Sequence, residues 1–134
     1  MTIRPLPQPY QDTATYWAAA KEHRFIIQKC SDCGEHQFYP RGVCSHCLSS
    51  ALEWKTASGM GTVYSFTVNH RAPHPGFTGM TPFVTAIVAL AEGPRMMTNI
   101  VDCDPETVAI NMPVEVTFDD VTGDVTLPMF RPVA

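Results

Sequence analysis

Residues 30–47 read CSDCGEHQFYPRGVCSHC, and this stretch decides how the N-terminal third is built. Cys30-Ser-Asp-Cys33 and Cys44-Ser-His-Cys47 form two C-x2-C turns separated by ten residues. Each turn lets two thiolates converge on one ion while nearby backbone amides point at the sulfurs. Two turns supply four sulfurs in a tetrahedron, the closed shell of a structural zinc site. With Cys30, Cys33, Cys44 and Cys47 as ligands, no position is left for water, so the ion would hold the fold and do no Lewis-acid chemistry. The same spacing can hold iron in an electron carrier. Free thiols or disulfides are the other readings; a disulfide inside a C-x2-C turn is strained and needs an oxidising compartment. Lys29, Arg41 and Arg24 are near enough in sequence to offset the −2 charge that four thiolates leave around a dication. His36 and His46 are expected to be exposed loop residues, since four cysteines complete the shell.

Upstream, residues 1–11 read as a proline-stiffened arm, and Asp12 as the cap of a helix over Thr13–Arg24. That helix carries Tyr16 and Trp17, expected to pack on the rest of the domain, and a cationic end at Lys21, His23 and Arg24. Phe25–Lys29 and Leu52–Thr56 read as strands flanking the cysteine turns. Ser58-Gly59-Met60-Gly61 marks a junction, giving units 1–58 and 59–134. Beyond it the pattern is β: Thr62–Val68, a proline-rich loop over 72–82, Phe83–Leu90 as an apolar run buried on both faces, a Glu92-Gly93-Pro94 turn, and Arg95–Val101. Asp104-Pro105-Glu106 starts a helical turn, followed by strands Val114–Phe118 and Val125–Met129. Five strands with one helical turn between the third and fourth describe a small Greek-key barrel of the OB type. The fold class is thus mainly β: an N-terminal helix and rubredoxin-like zinc ribbon, then a five-stranded OB-fold barrel.

Composition narrows the function. Of the 134 residues 45% are hydrophobic and only 16% charged, well under the usual quarter, so part of the surface is expected to face a partner. The formal charge of −4 is uneven: residues 1–58 hold six Lys/Arg against five Asp/Glu, residues 59–134 three against eight. An acidic barrel opposes nucleic-acid binding, which needs a basic stripe. No apolar run is long enough to span a membrane and the N-terminus lacks a secretory signal, which predicts a cytoplasmic protein. Cys103 stands alone and reads as a buried or edge thiol. His70, His74 and Arg71 lie in the proline-rich loop with no acid or nucleophile spaced to suggest catalysis. Met96-Met97 falls in a strand, one side chain inward and one outward. No phosphate-binding glycine loop, nucleophile elbow or paired-carboxylate signature is present.

Together these motifs resemble the zinc-ribbon plus OB-fold proteins that accompany thiolase-type enzymes, a family long known only as a domain of unknown function. The resemblance is carried by the Tyr16-Trp17 helix with Phe25-Ile-Ile-Gln-Lys-Cys30, by Tyr39-Pro40-Arg41 before the second turn, and by Trp54. It continues through the Ser58–Thr67 junction, Pro82-Phe83-Val84, Glu92-Gly93-Pro94-Arg95, and Leu127-Pro128-Met129-Phe130-Arg131-Pro132. Ser45 stands where that family often has proline, and Asn111 where a glycine often precedes the fourth strand. The resemblance implies a non-catalytic subunit that binds a thiolase, a thiolase-fold aldolase or an acyltransferase, two copies of each chain, and helps hold acyl-CoA. Any CoA contact should use the scarce cations Arg41, Arg71 or Arg95. The loop around His70–Pro82 and the ribbon near Arg41 are the expected contact surfaces. Two other functions compete with this one. A single-stranded nucleic-acid binder would stack bases on Tyr64, Phe66 and Phe83; a rubredoxin-like carrier would hold iron in the cysteine site.

Overall fold

The computed structural model describes residues 5–133, so the start of the N-terminal arm, residues 1–4, lies outside the described residues. Residues 5–10 carry no regular structure. Helix α1 spans Ala14–Lys21, shorter at both ends than the sequence predicts. Asp12 does not cap it. Thr13 holds the cap position without a side-chain cap bond; its hydroxyl instead accepts from the Tyr10 N–H at 3.0 Å. At the other end, the His23 N–H donates to the Ala20 carbonyl at 2.8 Å and the Arg24 N–H to the Ala19 carbonyl at 2.9 Å. That paired return is a Schellman stop, and it needs a left-handed residue, here His23 at φ 59°. The chain therefore leaves the helix before Arg24.

Three strands make the ribbon: β1 (Ile26–Cys30), β2 (His36–Gln37) and β3 (Leu52–Thr56), ordered β2-β1-β3 and antiparallel. β3 has the bounds that the sequence predicts. β2 is two residues long, and it takes His36 out of the loop expected for it: this histidine is half-buried and its strand pairs with Lys29.

The remaining strands close a barrel in the order β4-β5-β6-β8-β7, with β7 returning to β4. They are β4 (Met60–Asn69), β5 (Phe83–Leu90), β6 (Arg95–Ile100), β7 (Pro113–Asp120) and β8 (Thr126–Pro132). A 3-10 turn at Pro105–Thr107 sits between the third and fourth barrel strands, where the sequence places it, with Asp104 accepting from the Glu106 N–H. β5 differs from expectation. It is not buried on both faces: Val84, Ala86, Val88 and Leu90 are buried and the alternate residues are half-buried. A barrel strand has one inside and one outside, and the outward Phe83, Ile87 and Ala89 are apolar too, Thr85 being the exception. Asn111 adopts φ 68°, the left-handed region where glycine is favoured and asparagine tolerated, which accounts for the glycine that often stands there.

One core runs through both parts. Val63, Val84, Val88, Val114 and Phe130 are fully buried inside the barrel. Phe25 at the start of the ribbon meets Phe130 edge-on, ring centroids 6.0 Å apart, and Tyr16, Phe25 and Phe38 complete an aromatic layer between helix, ribbon and barrel. Tyr16 is 5% exposed, and Trp17 packs beside it, so both do pack onto the domain.

Candidate metal centre and its surroundings

The four cysteines meet as the spacing requires. Cys30 closes β1; Cys33 follows in the first turn; Cys44 and Cys47 come from the second. Their Sγ atoms all lie within 4.8 Å of one another, and no other group of three or more His, Cys, Asp or Glu converges in this way among the described residues. The Cys30–Cys47 and Cys33–Cys44 sulfur pairs are each 3.6 Å apart. With zinc–sulfur bonds of about 2.3 Å, a regular tetrahedron has sulfur–sulfur edges of about 3.8 Å. The cage therefore has the size for one zinc ion, for which these four sulfurs would be the ligands.

The two turns are built alike. The Gly34 N–H donates to the Cys30 carbonyl at 2.9 Å, and the Leu48 N–H to the Cys44 carbonyl at 3.0 Å. Each residue is left-handed, Gly34 at φ 79° and Leu48 at φ 65°. The first turn uses glycine for that conformation and the second forces a leucine into it. The Ser49 hydroxyl donates to the Asp32 carboxylate, tying one turn to the other.

Backbone amides aim at the sulfurs. The His46 N–H lies 3.3 Å from the Cys44 Sγ. Burial opposes ionisation of Cys44, but the amides of Cys47 and His46, with the neighbouring thiols, hold it below the usual thiol range, at about 6. The Glu35 amide favours the Cys33 thiolate, yet burial and sharing protons with Cys44, Cys30 and Cys47 push that thiol up to about 12. Four thiols this close cannot all ionise without a cation between them.

The sequence reading missed the residues that brace the cage. Gln28 and Gln37 face each other across β1 and β2 and are both buried. The Gln37 side chain donates to Gln28 Oε1 at 2.7 Å, and its own Oε1 accepts from the Ser45 N–H at 2.8 Å. Gln28 closes on the Arg41 backbone, accepting from its N–H at 3.0 Å and donating to its carbonyl at 3.1 Å. These amides pin residues 41–45, and so Cys44, to the ribbon sheet. Nothing local marks a glutamine as buried; only the cross-strand register reveals the pair.

Other candidates fall outside the cage. His46 is exposed. Arg24 is engaged by Glu22, Nε to Oε2 3.1 Å. Cys103 is half-buried against the core, as an edge thiol. His74 Nδ1 accepts from the Gly76 N–H at 2.9 Å and so caps a 3-10 turn over Pro75–Phe77. Of the cations considered for CoA, Arg71 is exposed in that loop and Arg95 lies 3.9 Å over the Tyr64 ring. Arg41 borders a cleft of about 250 Å³ shared with Glu35, His36, His46 and Glu92. Of the aromatics considered for stacking bases, Phe83 lies against Phe77 and Phe66 is half-buried. Met96 is buried and Met97 is 61% exposed, the alternation the strand predicts.

Known proteins share this arrangement. The family described as "ChsH2, rubredoxin-like zinc ribbon domain" matches residues 17–53, and "ChsH2, C-terminal OB-fold domain" matches residues 54–119. A "Probable enoyl-CoA hydratase alpha subunit" of Thermomonospora curvata is 41% identical over 132 residues, 97% of this chain; the chain spans only 40% of that protein's length. A "DUF35 domain-containing scaffold protein" of Methanocaldococcus jannaschii is 39% identical over 110 residues, covering 81% of this chain and 77% of the other. Among solved structures, a chain of "Ltp2-ChsH2(DUF35) aldolase" superimposes with TM-score 0.86 at 39% identity, over 96% of this chain and 99% of that one. The ribbon and the barrel behind it are thus held in common, and the chain belongs to the DUF35 family, in the ChsH2-type form of a zinc ribbon followed by an OB-fold domain.

Proposed function

We propose that this chain is a non-catalytic accessory subunit, divided at the Ser58–Gly59 junction into a zinc ribbon and an OB barrel. It docks on a thiolase-fold enzyme and helps to hold that enzyme's acyl-CoA substrate. The observation that carries this reading is the end-to-end likeness to the ChsH2(DUF35) chain of an aldolase whose name couples it to a second component, Ltp2. The name "scaffold protein" on an archaeal relative points the same way. The hydratase alpha subunit is more than twice as long as this chain, so its named activity belongs to a larger protein and is not carried over.

Chemistry within the chain supports the reading. Acyl-carbon chemistry needs an activated nucleophile or a positioned base. The four clustered thiols are spent on a closed metal shell. The zinc, when bound, supplies folding free energy and a rigid frame for residues 31–51. Large apolar side chains at Tyr64, Met80 and Ile110 stand exposed, as the core of a permanent interface would require.

The test is turnover. The purified chain alone should show no thiolase, aldolase or acyltransferase activity. A thiolase-fold partner should gain activity when this chain is added. Full activity of the partner without it, or turnover by this chain alone, would overturn the reading.

A further inference from the structure

The barrel closes most thinly along one seam. β6 and β8 run parallel and pair at a single position, Ile100 with Phe130, with the Val101 N–H donating to the Phe130 carbonyl at 2.8 Å. Continuing that register by two residues sets Thr98 beside Pro128. A parallel ladder would there require an N–H from residue 128 to the Met97 carbonyl, and proline has none. The strands are held at that level by a side chain instead, the Thr98 hydroxyl donating to the Pro128 carbonyl at 3.4 Å. The Met97 N–H also faces away from β5 and is taken by the Tyr39 hydroxyl at 3.0 Å. N–H and C=O of one strand residue point the same way, so the Met97 carbonyl faces the seam as well.

A slot of about 330 Å³ opens over this split, walled by Trp17, Tyr39, Met97, Pro128 and Met129, with no charged residue in its lining. Its size is at the lower end for small-molecule sites. The open edge is about two residues long, stitched at one end by Val101 and stopped at the other by Tyr39. That is too short to seat a partner strand, which usually runs to about three residues or more. It suits one uncharged, extended chain that carries an amide to meet the strand edge and methylenes to lie on Trp17 and Met97. Any phosphate of such a ligand must stay outside. Arg41, two residues beyond Tyr39 and exposed, is the nearest cation along the ribbon.

We infer that the β6–β8 seam is the seat of the pantetheine arm of acyl-CoA, with Pro128 keeping the seam open and Tyr39 and Trp17 forming its walls. This rests on the acyl-CoA reading above and gives it a location. The experiment is titration of the zinc-loaded chain with pantetheine and, separately, with coenzyme A, following Trp17 fluorescence and the amide NMR signals of Met97 to Asn99. Both probes should move the same signals. Met97→Glu places a carboxylate in an uncharged slot from an exposed position; it should weaken both probes about tenfold or more without lowering the melting temperature. Coenzyme A that binds but moves signals elsewhere, such as those around Arg71, would overturn the seam and leave the acyl-CoA reading standing. Coenzyme A that binds neither the free chain nor its complex with the enzyme would overturn both. Signals at the seam that move with the partner subunit alone, and not with pantetheine, would make it a protein contact and also overturn the proposal.

Discussion

His23 shows how a single residue can serve two levels of structure. Its left-handed backbone ends α1, and its side chain crosses to the barrel, with Nε2 2.9 Å from each Asp120 oxygen and the ring stacked 4.9 Å from Phe118. The Asp120 carboxyl is held below its ordinary value of 3.8, chiefly by the Thr126 hydroxyl and then by His23. A lowered folded-state value means the contact stabilises the fold above pH 3.8 and loses that contribution as pH falls below it. Asp120→Asn should therefore lower the melting temperature at pH 7, and the gap from wild type should close in melts taken at progressively lower pH below 3.8. A gap that stays constant with pH would contradict the assignment. Leu48 offers a second test at this scale. It holds the conformation that Gly34 holds in the other turn, at a cost for a side-chain residue of about 1–2 kcal/mol. Part of that cost returns as the greater freedom of glycine when unfolded, so Leu48→Gly should raise ribbon stability by up to about 1 kcal/mol. Denaturant midpoints of the zinc-loaded protein would measure it.

At the scale of elements, the ribbon and the barrel depend on different things. The ribbon's three strands are short and its cysteine turns carry little apolar burial, so it should need its metal. Chelation, or Cys33→Ser, should erase the ribbon amide protection around Gln28 and Gln37 while the signals of Val63, Val84 and Val114 persist. Loss of both sets at one midpoint would mean that the aromatic layer around Phe25 couples them into one unit. The barrel depends on close backbone approach. A Cβ on Gly61 would stand 2.7 Å from the Ala89 carbonyl oxygen and 2.7 Å from a Val88 methyl. Gly61→Ala should thus cost about 1–3 kcal/mol, read from denaturant unfolding.

Much of this was legible in the chain. C-x2-C spacing is a chemical constraint that a local reading captures, and Phe83–Leu90 announces itself by β-branched apolar residues between turn signals. What escaped depends on partners far away in sequence. β2 is a strand only because β1 lies beside it. Asp12 has a cap residue's chemistry, but the Tyr10 carbonyl collects the Thr13 and Ala14 amides and sets the turn differently. The Gln28–Gln37 pair and the Pro128 gap are facts of register, which periodicity does not carry.

Taken whole, the molecule is a metal-braced ribbon and a closed barrel sharing one aromatic layer, acidic over the barrel half and apolar across Tyr39, Tyr64 and Met97. No helix among the described residues is long and apolar enough to cross a membrane. The proposed assembly, in which a second chain supplies the catalytic groups, accounts for a fold whose four clustered thiols form a zinc-ribbon cage and whose surface keeps bare apolar side chains. The measurement that bears on it most directly is the mass of the co-expressed pair. This chain and a thiolase-fold partner, passed together through size exclusion with light scattering, should elute as one species with two copies of each chain and one zinc per copy of this chain. Separate elution of the two proteins at micromolar concentration would contradict the account.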